Sequence, residues 1–404
     1  MLHNRYLTLG GEDHSTAAEV ALLTDSGCEV ELLEEDNRRI EQLGNARTAV
    51  RTVWSSESYK RVYEKLRTGR FDILHVQNFF PLWSPSVYYA ASRCGVPVVQ
   101  TLRNYRLLCV TATFFRDNRL CQECLGRMVP WPGIVHGCYR GSRAGSAVLA
   151  SMIGAHKLAG TWRKRVQIYI ALTEFARNKY IEGGLAEEKI VVKPNFVHPT
   201  PAQGPGGGGY ALFVGRLSPE KGIKTMLEAW KTAHHPLPLK VVGDGPEAEA
   251  VRAAAHDCPA IQYLGSRSSE EVLTLMRMAE FLVFPSEWFE GMPRTVIESF
   301  GVGTPVLASN IGATASMVTP GETGFHFEPG NAVDLREKIS RCSRNLGEVR
   351  SLRAQARAEF ELRYGGSANT VMLLAIYRKA QESMAGAANG KMSHHDRSGD
   401  RDIG

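Results

Sequence analysis

Phe289-Glu290-Gly291-Met292-Pro293-Arg294-Thr295-Val296-Ile297-Glu298 follows the apolar run Phe281-Leu282-Val283-Phe284, and its reading decides the fold. An uninterrupted apolar tetrad is the pattern of a strand buried on both faces of a parallel sheet. Pro293 suits the first turn of a helix, where its missing N–H costs nothing. A loop joining such a strand to such a helix puts the amides of Gly291 and Met292 at a helix N-terminus, a seat for phosphate and sugar oxygens. Glu298, inside the helix, can accept paired hydrogen bonds from the two hydroxyls of a ribose, and Glu290, before it, can hold the hydroxyls of another sugar. Two unrelated surface glutamates would show the same spacing, so the stretch has to be weighed with its surroundings.

The same strand–loop–helix pattern recurs on either side. Val214-Gly215-Arg216-Leu217-Ser218-Pro219-Glu220-Lys221-Gly222 closes the apolar run at 211–214, and Arg216 with Lys221 can neutralise a diphosphate leaving group as it gains charge. Gly215 permits close backbone approach. Val242-Gly243-Asp244-Gly245-Pro246 adds a Gly-rich turn that begins a dinucleotide fingerprint without completing it. Apolar runs at 240–242, 261–264 and 305–308 extend the series. Upstream, residues 29–33, 73–76 and 96–99 read as strands, with helical stretches at 16–24 and 56–66 between them. This alternation argues for an α/β chain of parallel sheets covered by helices, and 404 residues suit two domains with a cleft between them. The expected boundaries are a first domain at 1–193 with a cysteine-bearing insertion near 105–140, a flexible Pro/Gly-rich linker at 194–209, a second domain at 210–364, a helix at 365–384 and a disordered polar tail at 385–404. Only Leu2-His3-Asn4 precedes the loop segment at 5–11, a short opening strand for such a domain, and the expectation is a chain that starts late.

Hydrophobic content of 43% and charged content of 22% suit a globular chain able to bury full cores. No run of about 18 apolar residues offers a bilayer span, and residues 1–5 lack a signal-peptide core, so a cytoplasmic location is expected. Between Ser86 and Arg165 stand twelve Lys/Arg and two acids (Asp117 and Glu123), a local balance of +10. That is either a solvated basic face or a surface for an anionic partner, a phosphorylated acceptor or the inner membrane leaflet. No recognition motif accompanies the charge, which argues against nucleic acid. Of eight cysteines, Cys109, Cys121, Cys124 and Cys138 cluster around a Cys-x2-Cys knuckle. The pattern suits a tetrahedral structural zinc, an iron–sulfur cluster, or a set of buried free thiols. The isolated Cys28, Cys94, Cys258 and Cys342 read as core filler.

Taken together, Gly-Arg-Leu-x3-Lys-Gly at 215–222, Gly-Asp-Gly-Pro at 243–246 and Glu-x7-Glu at 290–298 resemble the donor domain of glycosyltransferase family 4. The resemblance implies the GT-B architecture, two facing Rossmann-like domains with a C-terminal helix returning to the first. It also implies transfer of a sugar from a UDP- or GDP-linked donor, with retention of configuration and no metal or other cofactor needed for the chemistry. By motif, Arg216 and Lys221 would hold the diphosphate, Glu290 the sugar and Glu298 the ribose. Gly215, Gly243, Gly291, Met292 and Pro293 would cradle the donor, and Arg267 would border the base. In the first domain, Gly10-Gly11-Glu12-Asp13 resembles the family's Gly-Gly-Glu loop, and His75-Val76-Gln77-Asn78 its His-x-His-Asn-like turn with Gln77 at the second His. The resemblance puts Gly10 and Gly11 by the donor, and Glu12, Asp13, His75, Asn78, Arg103, Asn104 and Tyr105 on the acceptor side. Arg103 stands where relatives usually place a His, and Arg cannot act as a base at neutral pH. It reads as a fork for a substrate anion, as a mark of lost activity, or as a solvent-facing residue. The acceptor would be a sugar, a lipid-linked or a small molecule, in bacterial polysaccharide or glycosylated-metabolite synthesis. A catalytically impaired sugar-nucleotide-binding relative and a GT-B-fold epimerase remain alternatives.

Overall fold

Strands apolar along their whole length need helices on both faces, and the computed structural model, which describes residues 1–7, 10–233 and 236–395, meets that need twice. The first sheet takes β1 (Leu2–Arg5), β2 (Leu33–Asp36), β3 (Leu74–Val76) and β4 (Val98–Leu102). After a small hairpin of β5 (Phe115–Arg116) and β6 (Arg119–Leu120) it adds β7 (Ile168–Ala171) and β8 (Ile190–Val192), in the order β2-β1-β3-β4-β7-β8. The second sheet uses β9 (Ala211–Val214), β10 (Leu239–Val242), β11 (Ile261–Gly265), β12 (Phe281–Phe284), β13 (Val306–Ser309) and β14 (Gly324–Phe327), in the order β11-β10-β9-β12-β13-β14. All pairings in both sheets are parallel. Trp83, Tyr88, Phe114 and Tyr180 fill the first core; Phe213, Trp230, Phe281 and Phe327 fill the second.

In each sheet the strand order reverses direction once, between β1 and β3 and between β9 and β12. The diverging loops leave a crevice at the carboxyl ends of such strands, the usual place for a ligand in an open α/β sheet. The quoted stretch leaves β12 there, and the Gly215–Gly222 turn leaves β9 beside it.

The structure departs from the sequence expectations in four places. The strand expected at 29–33 lies at β2, in register with β1 from Leu2↔Leu33 to Arg5↔Asp36. Before Leu33 one backbone tie to that strand remains, from the Met1 amino group to the Glu31 carbonyl. The linker is not slack. Gly204, Gly206 and Gly208 donate to the carbonyls of Val302, Arg277 and Met278, and buried Arg353 donates to the carbonyls of Ala279, Gly204, Arg277 and Val302. Its backbone groups are satisfied by the second domain, so the glycines serve close packing there. The last helix runs Gly366–His395, past the point where a disordered tail was expected, and residues 396–404 lie outside the described residues. It packs Leu373, Ile376 and Ala380 against Leu23, Val99, Ile168 and Ile170 of the first domain. Finally, Cys109, Cys121, Cys124 and Cys138 line one small cavity as free thiols, and burial pushes the Cys124 thiol up to about 11. Among the described residues, no group of three or more His, Cys, Asp or Glu is placed to hold a metal ion, so the expected zinc finds no support in this geometry.

Candidate active site between the two domains

The helix Arg294–Gly301 starts at Pro293, whose φ of −71° suits a helix entry, and its first turn faces a cleft of about 410 Å³. Glu290 sits before it, 6% exposed. Its Oε1 accepts from Lys221 Nζ at 2.6 Å and from Ser286 Oγ at 2.6 Å. Lys221 thus bridges the turn after β9 to the turn after β12, and its ammonium also lies 5.4 Å from the Trp288 ring centroid. Arg216 is exposed in the same cleft, and its side chain has no hydrogen-bond or ion-pair partner among the described residues. One guanidinium in the cleft is therefore free while the nearby ammonium is engaged.

Two glycines bring the backbones close. Gly243 has φ +143°, and a Cβ there would meet the Gly215 carbonyl oxygen at 1.8 Å, so only glycine fits that crossing. A Cβ on Gly291 would stand 2.7 Å from the Arg103 carbonyl oxygen, which means the end of β4 in the first domain rests directly on the quoted loop. Asn195 joins the same contact: its Nδ2 donates to the Met292 carbonyl and its Oδ1 accepts from Arg103 Nη1.

The first domain lines the facing wall with Gly11, Glu12, Arg103, Asn104 and Tyr105. Asn104 Nδ2 donates to Glu12 Oε1 at 2.8 Å, leaving Glu12 Oε2 buried without a partner among the described residues. The expected anion fork at Arg103 is not what the structure shows. Its side chain is 5% exposed; Nε and Nη2 donate to Gln77 Oε1, Nη1 donates to Asn195, and Nη2 lies 3.6 Å from Glu19. These acceptors turn the guanidinium into the first domain, and only the residue's edge reaches the cleft.

Glu19 is the centre of that buried network. Its carboxylate takes Lys193 Nζ at 2.8 Å as well as the Gln77 amide, and Lys193 also donates to Asn369 on the returning helix. Burial alone would push the Glu19 carboxyl up, but Lys193 and Arg103 outweigh it and hold it down at about 2. His75, expected on the acceptor side, is 1% exposed, with one ring nitrogen on Thr101 Oγ1 and the other on the Tyr377 hydroxyl. Burial pushes its pKa down to about 3, so it is a neutral core group. Asn78 and Asp13 are likewise spent on structure: Asn78 on the Asn4 carbonyl and the Phe80 amide, Asp13 on His3 and the Gly10 amide.

Of the expected donor residues, Gly215, Arg216, Lys221, Glu290, Gly291, Met292 and Pro293 line the cleft together. Gly10, Gly243, Arg267 and Glu298 stand outside its lining. Glu298 accepts from Arg294 Nε at 2.7 Å one helical turn away, and Arg267 lies 3.9 Å from Glu271 on the surface. Sequence reading gave no role to Trp288, Asn195 or Ser286. Trp288 and Ser286 were within reach, being in the segment that joins β12 to Glu290, whereas the role of Asn195 depends on a contact between domains.

Comparisons with known proteins bear on the family and the fold. Residues 15–200 match the family described as Glycosyltransferase Family 4, and residues 201–359 match Glycosyl transferases group 1. The chain is 28% identical over 210 residues to an uncharacterized glycosyltransferase of Methanocaldococcus jannaschii, covering 51% of this chain and 59% of that one. It is 26% identical over 233 residues to the phosphatidyl-myo-inositol mannosyltransferase of Mycobacterium leprae, covering 55% and 62%. The matches therefore span less than two thirds of those relatives. Among solved structures, a glycosyltransferase from Rickettsia africae superposes with a TM-score of 0.66 at 18% identity, over 94% of this chain and 97% of that one. Anabaena HepE, solved in complex with UDP-glucose, gives 0.61 at 15% identity, over 95% and 99%. With both halves matched in order and two parallel-sheet domains meeting across a cleft, the chain belongs to glycosyltransferase family 4 and has its GT-B fold.

Proposed function

We propose that this chain transfers a sugar from a nucleoside diphosphate sugar to an acceptor hydroxyl with retention of anomeric configuration. The observation that carries the reading is the unpaired Arg216, set beside the Lys221–Glu290 pair and the helix N-terminus at Pro293, where the second sheet reverses order. As the bond from the sugar's anomeric carbon to the diphosphate breaks, the electron pair leaves with the phosphate oxygen. Arg216, Lys221 and the helix-start amides are placed to stabilise that charge without a metal ion. Glu290 orients the sugar, and Glu298 serves the ribose once the donor competes with Arg294 for it. The acceptor oxygen bonds the anomeric carbon from the leaving-group side, and its proton passes to the departing phosphate. Glu12 and Asn104 are placed to position the acceptor from the first domain. The test is a screen of UDP- and GDP-sugars that scores free nucleotide with and without acceptor extract. Release that rises with acceptor supports transfer. Binding without release points to an impaired relative, and a changed sugar on an intact donor points to an epimerase.

We also infer peripheral contact with an anionic membrane surface. Met128, Trp131 and Val135 are each about half exposed on the cysteine-bearing insertion, with Arg119, Arg127 and Arg140 exposed in the same segment and Arg143 at the start of the helix that follows. Arg127 lies 5.0 Å from the Trp131 ring centroid. Aromatic and apolar side chains among cations suit an interface that is greasy below and negative above. No helix among the described residues is long and apolar enough to cross a bilayer, so contact of this kind would be one-sided. The protein should float with phosphatidylglycerol vesicles and stay behind with phosphatidylcholine ones. Trp131→Ser should weaken partition roughly tenfold. Equal flotation with both lipids, or with neither, would refute the contact.

A further inference from the structure

Besides the Glu12 carboxylate oxygen named above, two aromatic side chains in the cleft carry polar atoms that no group among the described residues satisfies. The Tyr105 hydroxyl and the Trp288 indole nitrogen are both buried and both unpartnered, and both residues line the cleft that contains Glu290. They reach it from opposite domains. Tyr105 is 2% exposed, its ring fixed by Phe114 at 4.9 Å and Tyr180 at 5.9 Å, and its backbone amide tied to the Ala112 carbonyl. Trp288 is steadied by the Lys221 ammonium near its ring. A buried polar group without a partner destabilises a protein, and native structures rarely keep two in one place without a reason.

We propose that Tyr105 and Trp288 read the transferred sugar, Tyr105 through a ring hydroxyl that it shares with Glu290 and Trp288 through an oxygen that accepts its N–H. The inference rests on the donor reading given above. Its geometry comes from the contact between domains: the Arg103 carbonyl seated against Gly291 brings Tyr105, two residues on, to the carboxylate side of the cleft. Burial and the Glu290 charge together push the Tyr105 phenol up, so it stays a hydrogen-bond donor at any physiological pH. Tyr105 does not bond Glu290 directly. A group that fits between a hydroxyl donor and a carboxylate must accept from one and donate to the other, and a sugar hydroxyl does both. A carboxylate or phosphate could accept from Tyr105 but would face Glu290 as a like charge. The groups left free here therefore favour a donor sugar that is neutral where Glu290 touches it.

The protein's lack of use for these atoms gives the test its discrimination. Tyr105→Phe removes an oxygen that bonds nothing among the described residues, so its melting temperature should equal or exceed that of the wild type. Titrations would use UDP, UDP-glucose, GDP and GDP-mannose. Expected for the nucleotide the wild type accepts is diphosphate binding within twofold in Tyr105→Phe, with affinity for the sugar-bearing form, or its KM, worse by roughly ten- to a hundredfold. Trp288→Phe should show the same split. If the variants bind and turn over the sugar nucleotide as the wild type does, the inference is overturned. A lower melting temperature with unchanged sugar affinity overturns it too, because these atoms would then serve a structural water. A wild type that binds neither UDP nor GDP sinks the donor reading itself, and this inference with it, which separates the two failures.

Discussion

Arg216→Ala lowers turnover by on the order of 10²–10³ and leaves the melting temperature unchanged. The two halves of that expectation have separate causes. The Arg216 side chain is exposed and bonded to no described residue, so the folded protein loses little when it is cut back. The diphosphate is already anionic in the bound donor and gains further charge as it departs, so loss of Arg216 raises the barrier to transfer more than it weakens donor binding. Lys221→Ala is the control that makes the result readable. It should slow turnover similarly but also lower stability, because it strips the cation from a Glu290 that is 6% exposed and keeps only Ser286. Turnover is followed by nucleotide release and stability by thermal unfolding. Near-wild-type turnover of Arg216→Ala would reject its role at the diphosphate.

Glu19→Ala should destabilise the protein by about 3–5 kcal/mol, the size expected when one partner of a buried ion pair is removed. In melting temperature that is a fall on the order of 10 °C. The variant strands Lys193, 3% exposed, and deprives Gln77 and Arg103 of the carboxylate behind them. The same network fixes how acid acts on the wild type. His75 is held near 3 in the fold and titrates near 6.5 when unfolded. Below about pH 6.5 the unfolded chain takes up a proton that the fold refuses, so stability drops by roughly 1.4 kcal/mol per pH unit from this group. Glu19, held at about 2, adds its own loss once the pH passes below the ordinary carboxylate value, since only the unfolded chain is protonated there. Unfolding midpoints in urea between pH 7 and pH 5 should therefore fall in the wild type and fall less in His75→Gln. Parallel pH profiles would show that His75 is not the proton acceptor, and a Glu19→Ala protein as stable as the parent would dissolve the network argument.

The sequence carried the second domain nearly whole, because its strands are short apolar runs and its motifs lie on the turns that follow them. Glu290, Gly291 and Pro293 could be placed at a helix start from Pro and Gly alone, and the structure has them there. The first domain was harder to read for a physical reason. His75 lies within a buried strand and Asn78 and Arg103 just after one, positions that suit both catalysis and scaffolding, and the choice depends on partners far along the chain. Arg103 meets Asn195 across 92 positions and His75 meets Tyr377 across 302. No local pattern shows such pairs. The linker misled for a related reason: glycine signals freedom in isolation, but at Gly204 a Cβ would meet the Arg277 backbone at 2.4 Å, so the residue marks tight contact. The small residues that suggest slack were there for proximity.

Because residues 204–208 are fastened to the second domain, the span able to bend between the two halves is shorter than its composition suggests. The chain crosses from one half to the other near Lys193–Val197 and returns near Tyr364–Gly366. The two crossings lie side by side: Val197 donates to the Tyr364 carbonyl, and Asn369 holds both the Pro194 carbonyl and Lys193. Two adjacent strips of backbone make a door hinge with two leaves, stiff to twisting and to sideways slip. Any opening of the cleft would have to bend both crossings together, and the seat of the Arg103 carbonyl on Gly291 is the contact it would break.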